Sequence, residues 1–129
     1  MGTFLKFGQV VLLLPALTFS GTLFAAGQMS AAEVTHLLAN NTMHCSNLQK
    51  GEAFTNYFRD DGTVTRLTAE GGKIQGTWRV TDDGQHCLDW GEHERCNPVV
   101  DQGNGTYQKI EDDKPRTEFT VSDGNPKGL

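Results

Sequence analysis

Two His-Cys dipeptides, His44-Cys45 and His86-Cys87, each set an imidazole beside a thiol in a chain of 129 residues. That pair of side chains ligates zinc, copper or haem iron. Neighbours on a strand point to opposite faces, so neither dipeptide can hold one ion through both of its residues without a bulge. A Cys-x-x-Cys-His site for covalent haem is absent from the sequence. Metal or haem binding through His44, Cys45 and His86 is therefore an alternative, and the favoured role needs no cofactor.

Catalysis has little to work with. Cys45 as a nucleophile would need a lowered pKa, and its sequence neighbours supply no positive charge for one. Ser46 lies near His44, but no Gly-x-Ser-x-Gly elbow surrounds it. Asp89, Glu92, His93 and Glu94 crowd around Gly91, where they could bind a cation or exchange protons. A solvated loop tip has the same composition. Asp60-Asp61-Gly62 and Asp82-Asp83-Gly84 lack the alternating acids and distant Glu of a calcium loop, and read as turns. The aromatics are the better lead. Tyr57, Trp78 and Trp90, with Phe54 and Phe58, either fill a core or line a cupped pocket for a small apolar ligand.

Those side chains need elements to place them. Ser30-Ala31-Ala32-Glu33 forms a capping box, followed by Val34, Leu37 and Leu38 at helical spacing until Asn40-Asn41. Beyond it, apolar runs alternate with Gly-rich turns about every 10–12 residues. Strands are expected over residues 53–59, 63–68, 74–80, 85–90, 96–100 and 106–110. Ile74, Gly76, Trp78 and Val80 share one face at period two. Pro98 demotes its strand to an edge or a bulge. Residues 111–115 read as a polar linker and 113–129 as a loose tail, in which 118–121 could add one more strand. Six or seven strands with one buried face must curl to cover it. The fold class is mainly β: an antiparallel β-meander curled into a small barrel or sandwich, with one short N-terminal helix.

Export is written at the N-terminus. Lys6 precedes an apolar run from Val10 to Phe24, and Ala25-Ala26-Gly27 supplies small residues for a cut after Gly27. The run falls short of the roughly 20 residues that span a bilayer, so no stable membrane anchor is expected after cleavage of 1–27. Residues 28–129 are then one small β-domain, periplasmic or secreted. Its formal charge of −5 before cleavage argues against nucleic acid and leaves an envelope protein or a small molecule as partner. In an oxidising compartment cysteines pair. Cys87 and Cys96 bracket a turn around Gly91, and that bridge is favoured over either pairing with Cys45. Cys45 is then a buried thiol, an intermolecular link or a ligand.

Gly76-Thr77-Trp78-Arg79-Val80, Asp83-Gly84, Cys87, Trp90, Cys96, Val99-Val100 and the Gly-rich turn before Tyr107 together resemble one family. Asn41-Thr42, Gly51, Tyr57-Phe58 and Asp61-Gly62 extend the match over about residues 30–110. It is a family of short exported bacterial proteins known only as a domain of unknown function, number nine-nine-five of that series. The resemblance implies a small secreted β-domain and no reaction or ligand. The role expected is non-catalytic: a binding or accessory protein of the bacterial cell envelope.

Overall fold

The helix α1 (Ala31–Leu38) begins where its cap dictates. The Ser30 hydroxyl accepts from the Glu33 amide, and the Glu33 carboxylate accepts from the Ser30 amide. Val34 and Leu38, four residues apart on one face, are fully buried. Asn40 ends the helix in the left-handed conformation, at φ 62°, and turns the chain into a strand. The computed structural model describes residues 27–129, so the leader expected at 1–27 lies, Gly27 apart, outside the described residues. Among the described residues no helix is long and apolar enough to cross a membrane.

Eight strands follow: β1 (Asn41–Asn47), β2 (Ala53–Phe58), β3 (Thr63–Leu67), β4 (Lys73–Val80), β5 (Gln85–Asp89), β6 (Glu94–Asp101), β7 (Tyr107–Glu111) and β8 (Lys114–Asp123). Each pairs antiparallel with the next, and β8 returns to pair with β1, closing a barrel. Of the barrel and the sandwich, the chain forms the barrel. Closure removes every unpaired sheet edge.

Two expectations are corrected. The tail from residue 113 is not loose: residues 114–123 are β8, which pairs along β1 from Asn41↔Asp123 to Asn47↔Thr117. Asp112 and Asp113 both take positive φ, at 54° and 64°, the two-residue hairpin turn whose twist matches a sheet. Asp tolerates that conformation, so the acidic run is a tight turn rather than a linker. Pro115 is accommodated opposite Ile110, beside a register shift after Lys109. Pro98 is likewise not on an edge. It stands just before the β6–β7 ladder begins at Val99, and the Asn97 side-chain amide donates to the Ile110 carbonyl there.

The two ends of the barrel differ. At one end α1 lies across the opening, and Val34 and Leu38 join Met43, Phe58, Val64, Trp78 and Val99 in a single apolar cluster. The segment before the helix is strapped to the wall: Met29 N–H donates to the Val99 carbonyl at 2.9 Å, and Gln28 bridges Val100. Gly84 permits this approach, because a Cβ there would sit 2.6 Å from the Met29 carbonyl oxygen. Trp78 packs edge-on against Phe58, with ring centres 5.1 Å apart, and its indole N–H donates to the Arg59 carbonyl at 2.7 Å. The other end carries the turns after β1, β3, β5 and β7, and among the described residues nothing lies across it.

Candidate functional site

Alternation along each strand decides what enters the open half of the barrel. On β2, Phe58 and Asn56 point inward, and so does Phe54 two residues further toward the open end. On β3, Val64 is inward and Arg66 follows it. On β4 the inward series runs from Trp78 through Gly76 to Ile74. Ile74 is still 42% exposed, so atoms of the described residues do not fill this end. The result is a cavity of about 540 Å³, lined among others by Phe54, Arg66, Ile74, Leu88, Trp90 and Lys109. Ligand pockets of small proteins fall in this size range.

Trp90 owes its position to two features of its surroundings. Cys87 and Cys96 stand directly opposite on β5 and β6 and are joined by a disulfide, which pins the hairpin whose tip follows Trp90. Gly76 leaves room for the indole across the strand, since a Cβ there would lie 2.6 Å from Trp90 Cε3 and 2.5 Å from the Asp89 carbonyl oxygen.

Arg66 is the centre of the site. Its guanidinium lies over the Phe54 ring at 4.1 Å and over the Trp90 ring at 4.5 Å, a cation between two aromatic faces. Arg66 Nε donates to Asn56 Oδ1 at 2.8 Å, which fixes the plane of the fork. Lys109 enters from β7 and is only 7% exposed. Burial lowers its pKa to about 8. Among the described residues no carboxylate forms an ion pair with Arg66 or Lys109. Arg116, nearer the mouth, is paired with Glu111 at 2.9 Å, and Glu52, Glu70 and Glu92 stand exposed around the rim.

The residues singled out in the sequence scatter. Trp90 lines the cup. Trp78 belongs to the closed half, and Tyr57 lies on the outer wall, where the Arg59 guanidinium covers its ring at 5.2 Å. They do not form one pocket. His44 is outward and hydrogen-bonds Ser122 Oγ at 2.8 Å, whereas Cys45 and His86 are inward and buried, so the three share no face. Burial pushes the Cys45 thiol up to about 12, the opposite of what a nucleophile needs. His86 sits edge-on to Phe58 at 5.0 Å, and both of its ring nitrogens are buried without a partner among the described residues. Cys87, Glu94 and Cys96 place possible ligand atoms within 4.8 Å of one another. Their sulfurs are bonded together and Glu94 is held by Arg79, so no metal ligand set results. At the Gly91 turn, Asp89 accepts from the Gly91 amide and His93 accepts from Arg95, as a structured loop tip does.

Arg66 and Lys109 did not emerge from the sequence. Their signal was a charge at the inward period of an apolar strand: Arg66 two residues after Val64, and Lys109 two after Tyr107. No protein-family model matches the chain, and no curated protein matches it in sequence. The resemblance drawn above rests on its quoted residues alone.

Proposed function

We propose that this chain is a non-catalytic binding protein of the bacterial cell envelope that holds a small molecule in the open half of its barrel. One observation carries the proposal. Among the described residues the interior is packed under α1 and left unfilled at the opposite end, where Ile74, on the same inward face as buried Trp78, is 42% exposed. Eight strands enclose a space just wide enough for side chains or for one small ligand. Here the two occupancies divide the length of the barrel. The N-terminal apolar run and the Cys87–Cys96 bridge support export to an oxidising compartment.

The direct test is titration of the purified protein with N-phenyl-1-naphthylamine, a neutral apolar fluorophore. Binding at one site per chain is expected, with its emission enhanced and Trp90 quenched. Trp90→Leu should weaken it at least fivefold, and Tyr57→Leu, on the outer wall, should leave it unchanged. A neutral probe that binds neither protein, or that binds both variants alike, would remove the cup from the account.

A further inference from the structure

We infer that the ligand of this cup is amphipathic, with a single anionic oxyacid head, a carboxylate above all, seated between Arg66 and Lys109. This deepens the small-molecule proposal and rests on it.

The side chains argue it directly. A buried charge is costly unless it is paired. The barrel places two cations on its inner wall, on β3 and β7, and both line the cavity. Neither has an anionic partner among the described residues, although the chain carries 16 acids against 11 lysines and arginines. Acids are present close by, but at the rim or already engaged, as Glu111 is with Arg116. Arg66 is also oriented rather than merely present. Two aromatic faces hold its plane, and Asn56 takes Nε, which leaves its terminal nitrogens without an acceptor among the described residues. A planar fork with free parallel N–H groups matches the two oxygens of a carboxylate. Around it Phe54, Ile74, Leu88 and Trp90 supply apolar wall for the remainder of the molecule. Head and tail are thereby assigned: the head goes to the barrel's mid-height, the tail toward the mouth where Ile74 is exposed.

The experiment compares two fluorophores that differ by one group. 1-Anilinonaphthalene-8-sulfonate is N-phenyl-1-naphthylamine with a sulfonate added. The sulfonate should bind at least tenfold more tightly at pH 7. Arg66→Met and Lys109→Met should each remove most of that advantage, read as the ratio of sulfonate to neutral-probe affinity within the same variant. Arg66→Lys keeps the charge and loses the fork, and should recover only part. Decanoate should displace the sulfonate more strongly than decanol, while inorganic phosphate, which has no tail, should compete weakly. Near-ultraviolet circular dichroism of each variant confirms that its barrel is formed. If the neutral probe binds and the sulfonate binds no better, the anionic head is wrong and the cup survives. An advantage that persists in both Met variants, or phosphate competing as well as decanoate, would also overturn it. If neither probe binds, the cup itself fails.

Discussion

The two halves of the barrel are made from the same strands and solve opposite problems. Under α1, the inward positions of β1–β4 and β6 are Met43, Phe58, Val64, Trp78 and Val99, and the helix adds Val34 and Leu38. A few residues further along the same strands, the inward positions become Phe54, Arg66, Ile74 and Leu88, and Lys109 joins them from β7. The first set excludes water and stabilises the fold. The second leaves a cavity and two cations inside a wall that the first must hold in place. A domain near 100 residues has only about 5–15 kcal/mol of net stability. Its open half is tolerable because its closed half is packed.

The sharpest way to break this comparison is a matched pair of aromatic truncations on β2. Phe58 is fully buried beneath α1, and Phe58→Ala should cost about 3–5 kcal/mol in urea unfolding, close to abolishing the fold. Phe54 lies four residues away on the same face and borders the cavity. Phe54→Ala should cost about 1 kcal/mol or less, because its partner is a half-buried guanidinium rather than a filled core. Equal costs would mean that the barrel is one uniform core and that the open half is a packing defect.

What the sequence made legible follows the same division. The capping box, the Asp-Asp-Gly turns, the inward face of β4 and the Cys87–Cys96 pair were all readable, because each is set by neighbours within a dozen residues. β1 was not assigned. Its residues Asn-Thr-Met-His-Cys-Ser-Asn carry weak strand propensity, and pairing with both β2 and β8 overrides it. β8 was obscured by Asp112-Asp113, whose positive-φ turn looks in sequence like a solvated linker. On β3, Val64 and Leu67 are the apolar residues of the strand, but their odd separation puts them on opposite walls. Arg66, not Leu67, continues the inward row. The cup was unreadable for that reason: it is assembled from one or two residues on each strand, with no local pattern.

A smaller effect sharpens the comparison through pH. Burial lowers Lys109 from 10.5 to about 8, helped by the nearby Arg66 cation and opposed by Glu111. Between about pH 8 and 10.5 the unfolded chain holds a proton that the folded chain has released, so this group makes stability rise with pH there. Below pH 8 the folded state carries the buried charge at its full cost. Lys109→Met should therefore stabilise the empty protein at pH 7 by about 1–3 kcal/mol, and the gap to the parent should narrow as pH rises through that window. A residue that weakens the empty fold and strengthens anion binding belongs to a site. Groups facing it are Cys45 from β1, Arg66 from β3, His86 from β5 and Glu111 from β7. Cys45 stays neutral and Arg66 charged across the range, so the titration belongs to the lysine. Destabilisation by Lys109→Met at pH 7 would assign Lys109 to the core instead.

The smallest expected effect lies at the boundary between the halves. His86 is fully buried, edge-on to Phe58, with neither ring nitrogen hydrogen-bonded. Burial, with the positive charges of Lys109 and Arg66, holds its pKa well below 6.5. As pH falls below 6.5 the unfolded chain takes up a proton that the folded chain refuses, so stability is lost toward acid. His86→Leu keeps an apolar side chain against Phe58 and Trp78 and removes an unsatisfied polar pair. It should stabilise the protein by about 1 kcal/mol at pH 7. The gain should widen at pH 5, measured by urea unfolding at both values. A loss of stability that is constant with pH would show that the imidazole is satisfied by water reaching it from the cup. The boundary between packed and open interior would then lie one layer closer to α1.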